Sequence, residues 1–290
     1  MDTLPISNPP PPEYKPTGQA GWFDAELTLD KLSRLGNPLE KLLRAVGFEM
    51  FRPVPEEKLL NRNRKSNAGC KPYDAVLMFK VMLLKRFYNL SDEQAGYQIN
   101  GRASFRAFLG LSSGGRVPDA RTLWLFQENV KGHHPEKALF ELFNRHLDGP
   151  GLFVNEGRIV DASFVEVPRQ RNTREENEKI KAGEGAGLWQ DNPRKRRQKD
   201  VGARWAKKNG QTFYGYKGHA KVDAKSKPVR CRVEHVFGFI SNSMGGFHSR
   251  VIGLRRTRCV VGLVNLVYNL FRHEQIIRLK LLPLPGGAMP

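Results

Sequence analysis

The sequence predicts an α+β or α/β protein, in which a helical N-terminal region precedes a region that mixes strands and helices. Two observations support this class. From residue 22 to residue 150, apolar residues recur at helical spacing, and glycine or proline separates the segments. After residue 150, two segments alternate apolar and polar residues as strands do, and helical spacing then returns. We therefore expect domains over 22–150 and 151–278, between disordered tails at 1–21 and 279–290.

The first helical segment contains leucines that recur three or four residues apart. The triplet Gly36-Asn37-Pro38 interrupts them, which predicts two short helices, one on each side of it. The polar segment 56–69 that follows is typical of a connection. The leucines concerned are Leu27, Leu29, Leu32, Leu35, Leu39, Leu42 and Leu43.

Residues 72–147 are predicted to be helical apart from their turns. Pro72 suits a first helical turn, and residues 75–87 are apolar on nearly every side, which predicts a buried central helix. Ser91 followed by Gln94 is a capping-box pattern, so a helix is expected to begin directly after Ser91. The remaining expected helices cover 92–99, 104–109, 123–130 and 135–146, with a loop at 110–115.

The C-terminal region begins with a segment rich in β-branched residues, 158–167, which predicts a strand. A second strand is expected over 212–222, after a turn at Asn209-Gly210. Two polar segments lie between the strands. The segment 173–187 is predicted to be a loop, and 193–208 is predicted to be a mobile basic arm. The helical patterns that follow cover 230–240 and 260–270.

The charge of the chain points to a polyanionic partner. It has 290 residues and a formal net charge of +19, from 48 Lys and Arg against 29 Asp and Glu. Nucleic acid and an anionic membrane surface are the two partners that this charge suggests. The most apolar predicted helix carries Lys80, Lys85 and Arg86, so it is not expected to span a membrane. Three cysteines at unrelated spacings form neither a disulfide framework nor a zinc motif, and they fit a reducing compartment.

The short helices between residues 92 and 130, with their glycine-containing turns, resemble a helix-turn-helix module. A helical bundle that only packs is the alternative, since short helices with tight turns are common. The basic charge of the chain favours DNA binding.

The basic arm is the segment that most directly suggests contact with nucleic acid. It combines a dense run of Lys and Arg with a tryptophan, and cations beside an aromatic ring suit both phosphates and unstacked bases. An ordinary solvated charge run is the alternative. The candidate DNA-binding residues are Arg194, Lys195, Arg196, Arg197, Lys199, Arg204, Trp205, Lys207 and Lys208. A further basic group near the C-terminal helix consists of Arg255, Arg256 and Arg258.

Two carboxylates are notable in so basic a chain. Asp161 interrupts the apolar segment of the first strand, where a carboxylate is costly unless it is paired or binds a cation. Glu234 lies in the predicted helix after the second strand. A solvent-facing Asp161 and a Glu234 paired with a neighbouring arginine are the alternatives. Carboxylates in a basic chain suggest a divalent-metal site that acts on phosphodiesters.

Several collinear segments between residues 22 and 275 resemble the DDE transposases of bacterial insertion sequences, in particular the insertion-sequence-five group. The segments are RLGNPLEKL, VPDARTLWLF, RIVDASFVEVPRQRN, KDVGARWAKKNGQTFYGYKGHAKVDAKSK, RVEHVFGF, SMGG and LVNLVYNLFR. The resemblance implies a helical N-terminal DNA-binding region followed by an RNase H-like catalytic domain. It also implies DNA cleavage and strand transfer at the terminal inverted repeats of a transposable element.

The catalytic set of that family, two Asp and one Glu, binds two metal ions, Mg²⁺ or Mn²⁺. The resemblance assigns Asp161 to the first Asp, Glu234 to the Glu, and Arg230 to the arginine four residues before that Glu. It further implies double-stranded DNA as the partner, a homodimer that works on paired element ends, and a place at the nucleoid in the bacterial cytoplasm. Neither a membrane nor a small-molecule substrate is expected.

The sequence departs from the family at the second Asp. In relatives, that residue lies in a block of the type Asp-Ser/Thr-Ala-Tyr, between the second strand and the helix that carries the Glu. Here residues 225–230 lead almost directly from one to the other, so the block is missing. Asp223 is the alternative carboxylate, although relatives keep an acidic residue there beside the true second Asp. We therefore expect an incomplete RNase H-like domain over 151–278, with a basic loop at 170–208.

Three functions are compatible with these observations. The first is an insertion-sequence transposase whose DNA cleavage and strand transfer are impaired by loss of the second Asp. The second is a non-catalytic DNA-binding protein that represses transposition. The third, a helix-turn-helix regulator with an unrelated partner domain, is disfavoured by the number of resembling segments.

Overall fold

The computed structural model describes residues 21–59, 71–112, 114–131, 135–148, 158–208, 210–223 and 229–279. The predicted tails lie outside the described residues, apart from Gly21 and Leu279. The helices are α1 (Asp24–Arg34), α2 (Pro38–Ala45), α3 (Pro53–Leu59), α4 (Ala75–Phe87), α5 (Asp92–Gly101), α6 (Ala103–Leu109), α7 (Ala120–Lys131), α8 (Pro135–Asp148), α9 (Arg174–Lys181), α10 (Pro193–Arg197), α11 (Val229–Ser243) and α12 (Leu254–Arg278). The strands are β1 (Arg158–Glu166), β2 (Arg204–Lys208) and β3 (Gln211–Asp223), and 3₁₀ turns cover Phe48–Phe51 and Glu184–Gly187.

The two short helices predicted around Gly36 are confirmed as α1 and α2. Gly36 adopts a positive φ of 82°, a conformation that glycine reaches without the steric cost paid by other residues. Asn37 then caps α2, because its side-chain oxygen accepts a hydrogen bond of 3.1 Å from the N–H of Leu39. Pro38 takes the first helical position, where its missing N–H is not needed.

Two sequence predictions near α3 and α4 are wrong. The segment 56–69 was expected to be a connection, but its first residues belong to α3, and residues 60–70 lie outside the described part. Proline tolerated in a first helical turn explains how the α3 sequence, PVPEEKL, forms a helix. Pro72 was expected in a first helical turn, but it precedes the cap of α4. Asp74 forms that cap by accepting hydrogen bonds of 2.9 Å from the N–H groups of Val76 and Leu77.

The prediction of a buried central helix over residues 75–87 is confirmed by α4. Its buried side chains include Phe79, Val81 and Leu84, and they lie on different sides of the helix. The capping box that starts α5 is also confirmed. The N–H of Gln94 donates to the hydroxyl of Ser91, and the N–H of Ser91 donates to the Gln94 side chain, both at 3.1 Å.

The helices between residues 92 and 131 do not have the connections of a helix-turn-helix. Arg102 alone separates α5 from α6, and the connection from α6 to α7 covers residues 110–119. A helix-turn-helix uses a turn of about three or four residues between its two helices. The helix-turn-helix expectation is therefore wrong for these helices.

The three strands form an antiparallel sheet with the order β1-β3-β2. The long strand β3 pairs with β1 on one side and with β2 on the other. Lys208 pairs with Gln211, so a two-residue connection joins β2 to β3 at the predicted turn. Gly210 of that turn has a φ of +80°, and Asn209 lies outside the described residues. At Gly215, a side chain would collide with the carbonyl oxygen of Val165, so glycine is required for β1 and β3 to approach there.

The segment between β1 and β2 contains regular structure where a loop and a mobile arm were expected. The predicted loop at 173–187 contains α9 and a 3₁₀ turn, and the predicted arm at 193–208 contains α10 and β2. Local capping explains both errors. Thr173 and Glu176 form a capping box at the start of α9, and Asn192 caps α10 by accepting a hydrogen bond of 3.0 Å from the N–H of Lys195. The basic loop expected over 170–208 is thus an ordered part of the structure.

One large hydrophobic cluster contains side chains from both sides of residue 150. It joins α2 and α4 through α8 with Val236 and Ile240 of α11 and with Leu266 of α12. We call α1–α8 together with α11 and α12 the helical body. A second, small cluster consists of Val167, Ala203 and Tyr214. We call residues 167–216, which surround this small cluster, the basic lobe.

Candidate nucleic-acid interface

The buried carboxylate of Asp200 is the centre of the basic lobe. It lies between α10 and β2 and is only 3% exposed. Its Oδ1 accepts hydrogen bonds from the N–H groups of Gly202 and Ala203, at 2.9 and 3.1 Å, and from the Tyr216 hydroxyl at 2.6 Å. Its Oδ2 accepts a bond of 2.9 Å from the N–H of Gly253, the residue that precedes α12. Asp200 therefore joins the basic lobe to the start of the longest helix.

Tyr216 is the side-chain donor to Asp200 at this junction. Burial of the phenol, followed by its hydrogen bond to the Asp200 carboxylate, raises the pKa of Tyr216 well above its ordinary value of 10.0. The phenol is thus held protonated as a donor. The sequence showed no local pattern that marks either residue, because their contacts join positions far apart in the chain.

Glu176 is a second carboxylate of the lobe that joins separate elements, since it connects α9 with α10. Its Oε1 accepts hydrogen bonds from the Lys195 ammonium and from the Trp189 indole N–H, both at 2.7 Å. The bond from Lys195 is the largest of the causes that lower the pKa of Glu176 from 4.5 to about 2. The Lys195 and Lys199 ammonium groups each lie 5.6 Å from the centre of the Trp189 ring. These two lysines are therefore engaged within the lobe.

Three of the nine predicted DNA-binding residues stabilise the lobe through their own bonds. Besides Lys195, Lys199 donates hydrogen bonds to the Arg171 carbonyl and, at 2.7 Å, to the Asn172 side chain. Arg204 donates to the carbonyl oxygens of Val201, at 2.7 Å, and Ile180, at 3.1 Å. These bonds fix the positions of the Lys199 and Arg204 side chains within the lobe.

The remaining cations of the predicted set are exposed. Arg194, Arg196 and Arg197 all belong to α10, and their side chains form no ion pair or hydrogen bond among the described residues. Lys207 and Lys208 are likewise exposed on β2, an edge strand of the sheet. Among the residues that the structure describes, no carboxylate pairs with these five side chains, so they present positive charge to solvent. That is the electrostatic arrangement that attracts a polyanion.

Trp205 adds an exposed aromatic surface on the strand that carries Lys207 and Lys208. It lies on β2, is 55% exposed and packs against Tyr214, with 5.1 Å between the ring centres. The guanidinium carbon of Arg169 lies 5.6 Å from the centre of the Trp205 ring. Sequence analysis missed Arg169, because it belongs to the segment after β1 and only the fold brings it to β2. The nearby Arg171 was the available sign that the segment after β1 is also basic.

The structure places the backbones of the predicted catalytic residues on adjacent elements. Asp161 lies on β1, and Arg230 and Glu234 lie on α11, which packs against β1 and β3. The side chains of these three residues lie outside the described part of the structure. Among the side chains that are described, no three His, Cys, Asp or Glu residues cluster as metal ligands.

The register of the sheet bears on Asp223 as a substitute for the missing second Asp. Asp161 pairs with Ala220, whereas Asp223 pairs with Arg158. Directly paired residues share a face of an antiparallel sheet, and successive residues alternate between the faces. Asp223 therefore belongs to the same set of alternating positions as Arg158. Because Arg158 lies three residues before Asp161 on β1, Asp161 belongs to the other set. The register thus argues against Asp161 and Asp223 sharing one metal site.

The fold defines the chain as a helix-rich α+β protein that exposes a basic surface. Residues 27–129 match the family model described as Transposase domain (DUF772). The match begins in α1 and ends in α7, so it covers part of the helical body and leaves the basic lobe outside. It supports a transposase family for this chain. No solved structure matches the chain.

A helix that crosses a membrane must be both long and apolar. None of the described helices combines the two well enough to cross a bilayer.

Proposed function

We propose that this chain is a DNA transposase of an insertion sequence, which binds the element's terminal inverted repeats but is impaired in strand cleavage and transfer. The family match over residues 27–129 supports the transposase part of the proposal. The resembling segments beyond residue 150 support the DDE class and the RNase H-like domain. A transposase of this class acts on DNA at the nucleoid, in the cytoplasm, as a homodimer that holds paired ends.

The observation that supports DNA binding best is the exposed basic face of α10. Arg194, Arg196 and Arg197 lie on one short helix without carboxylate partners in the described structure, and Trp205 of the same lobe exposes its ring. Each phosphate neutralised by such a side chain releases condensed counterions, so binding falls as salt rises. The three arginines would contact the phosphate backbone, and Trp205 would stack on an accessible base at an opened DNA end.

This proposal is tested by replacing all three arginines with glutamine. We expect affinity for a duplex to fall for every sequence, and the slope of log affinity against log salt to decrease by about 3. Fluorescence anisotropy with a labelled duplex at several salt concentrations measures both quantities. An unchanged slope would exclude α10 as the phosphate-binding element.

Asp161 and Glu234 are the carboxylates that we propose for metal binding. Carboxylate oxygens are the ligands that Mg²⁺ and Mn²⁺ prefer, so the donor chemistry fits a divalent ion. Such an ion supplies activation of an attacking oxygen and stabilisation of the leaving oxygen. Arg230 lies one helical turn before Glu234 on α11 and would place a positive charge near the scissile phosphate.

The missing second Asp is the reason to expect impaired cleavage. Two carboxylates balance the charge of one divalent ion, whereas a two-metal site holds two ions about 4 Å apart. The register of β1 and β3 argues against Asp223 as the third carboxylate. Recognition of DNA by the basic lobe does not depend on that residue.

Cleavage is tested with a duplex that carries the inverted repeats flanking the gene. We expect the chain to bind it, with little or no Mg²⁺-dependent nicking. Efficient nicking that is abolished by Asp161→Asn would contradict the proposed impairment while supporting the metal assignment. The matched control is Asp191→Asn, an exposed carboxylate of the basic lobe that lies outside the proposed metal site.

The alternative function, a repressor of transposition, is favoured by the same contrast between an exposed basic face and an incomplete catalytic set. A chain that occupies the inverted repeats without cutting them would exclude an active transposase. Adding the chain to a complete transposase of the same element should then reduce excision in proportion to repeat occupancy. Excision that is unaffected at saturating occupancy would exclude repression.

A further inference from the structure

The first turns of α12 expose two arginines that the proposed DNA-binding set does not include. Arg255 and Arg258 are exposed. Thr257, which lies between them, and Cys259, which follows Arg258, are buried. The neighbouring Arg256 is not available in the same way, because it forms an ion pair of 2.7 Å with Glu128 of α7. In sequence, these arginines are more than fifty residues from α10. Sequence alone therefore treats the two groups as separate.

The fold brings the start of α12 to the basic lobe through one hydrogen bond. Gly253 N–H donates to Asp200 Oδ2 at 2.9 Å, and Arg255 lies two residues after Gly253. Arg197 of α10 lies three residues before Asp200. Five residues of fully extended chain span at most about 18 Å. With the width of the hydrogen-bonded junction included, the distance between the Cα atoms of Arg197 and Arg255 is at most about 25 Å. This distance is less than one turn of a DNA duplex.

The charge at this junction favours an anionic partner. Two carboxylates near the start of α12 already have partners: Asp200 accepts from four donors, and Glu128 forms an ion pair with Arg256. The N–H of Gly253, at the start of α12, is also occupied by Asp200. The positive charge that this end of α12 presents to a polyanion is carried by the side chains of Arg255 and Arg258. Their positive charges remain uncompensated within the described structure.

We propose that Arg255 and Arg258 of α12 form a single surface with α10 and β2, and that this surface follows the phosphate backbone of one DNA duplex. The proposal rests on the proposed function, because it takes duplex DNA as the partner of the basic lobe. Asp200 is the positioning residue of this composite surface, since its carboxylate holds the start of α12 against the lobe. Arg197 and Arg255 lie close enough for both to contact one turn of a DNA duplex.

The direct test compares two double variants that carry the same change in charge. Arg255→Gln with Arg258→Gln removes the proposed contacts. Arg44→Gln with Arg145→Gln is the matched control, because both residues are exposed and lie towards the opposite end of α12. That end is marked by His146 of α8, whose ring centre lies 5.8 Å from that of His273. His273 follows Gly253 by twenty residues, which is about 30 Å along a helix.

We expect the slope of log affinity against log salt to decrease by about 2 for the Arg255 and Arg258 variant, and to stay unchanged for the control. The probe is a labelled mixed-sequence duplex of about 30 base pairs, measured from about 50 to 200 mM salt. If the chain binds this duplex and the slope of the double variant is unchanged, the inference is wrong and the proposed function stands. If the unaltered chain does not bind the duplex, the proposed DNA binding itself fails, and the inference fails with it.

Stoichiometry distinguishes one composite surface from two separate sites. Titration calorimetry with a duplex of about 12 base pairs, close to one helical turn, should give one duplex per chain. The Arg255 and Arg258 variant should keep that stoichiometry at weaker affinity. Two duplexes per chain, one of which is lost in the variant, would overturn the single surface.

Discussion

The helical body and the basic lobe are held together by different kinds of interaction. The body buries a continuous cluster of large apolar side chains, such as Phe51, Phe79 and Phe143. The lobe has a cluster of three buried residues, and hydrogen bonds join its distant segments, among them four to the carboxylates of Asp200 and Glu176. Apolar burial stabilises the first region, and a charged hydrogen-bond network organises the second.

This difference explains how a strongly basic segment becomes ordered. Like charges on α10 and β2 repel one another, and too few apolar residues lie nearby to offset that repulsion by burial. Two carboxylates instead accept the bonds of a small subset of donors, and the other cations are left exposed. A hydrogen-bond network of this type orders a segment that has few apolar residues, and it leaves the other cations exposed for a partner.

The largest expected effect is in the body. Phe51→Ala should lower the free energy of unfolding by about 3–5 kcal/mol, because it leaves a cavity beside Phe79 and Phe143. Urea unfolding followed by circular dichroism measures this change. Phe23→Ala is the control, since Phe23 is 68% exposed and should change the free energy by less than about 0.5 kcal/mol. Equal effects of the two changes would contradict the assignment of Phe51 to the core.

The next effect is in the lobe. Asp200→Ala should destabilise β2 and β3 by about 3 kcal/mol, because the N–H groups of Gly202, Ala203 and Gly253 lose their acceptor. Hydrogen exchange of the β2 and β3 amides should accelerate, while α4 amides keep their protection. The control is Asp191→Ala, an exposed aspartate of the same lobe. Loss of protection throughout the body would mean that the lobe does not open independently.

A smaller, pH-dependent effect is expected at Glu176. Because Lys195 lowers the folded-state pKa of Glu176 from 4.5 to about 2, its stabilising charge is fully present above pH 4.5. The contribution is lost as the pH falls from 4.5 towards 2. Exchange of α9 and α10 amides should therefore accelerate over that range. Glu176→Gln keeps an acceptor for the capping box and should remove this pH dependence, so an unchanged profile in the variant would contradict the assignment.

The smallest effect is expected for an ion pair on the surface of the body. Arg44 and Glu40 lie one turn apart on α2, and the Arg44 side chain is 75% exposed. Arg44→Gln should change the free energy of unfolding by about 0.3–0.5 kcal/mol, because exposed pairs at this spacing contribute little. Thermal unfolding measures it. If Arg44→Gln changed the free energy of unfolding as much as Asp200→Ala, the helical body would depend on charged pairs as strongly as the basic lobe does, and the contrast between them would be wrong.

Much of the helical body was predictable because its signals are local. Glycine at position 36, the capping box of Ser91 and Gln94, and the apolar run of α4 each act within a few residues. Hydrogen bonds from residue i to residues three or four away decide whether a helix forms and where it begins. Such patterns can be read directly from the chain.

The lobe was less predictable, although one signal was available. Thr173 and Glu176 have the same capping-box spacing as Ser91 and Gln94, but the polar composition of the segment favoured a loop. The helix-turn-helix expectation failed for a related reason. Short helices were expected correctly, but the lengths of their connections did not match that motif.

The sequence by itself determined the strand that carries Asp161, the long strand after the Asn209-Gly210 turn, the basic character of residues 193–208, and the resemblance to a transposase. The strand that carries Trp205 was not among these, because its segment was expected to be a mobile arm. Only the tertiary structure decided which cations are engaged and which are exposed, that Asp223 and Asp161 occupy opposite sets of positions, and that α12 begins at Asp200. The physical reason is that local patterns depend on neighbours along the chain. A carboxylate that binds a backbone N–H fifty-three residues away leaves no such pattern.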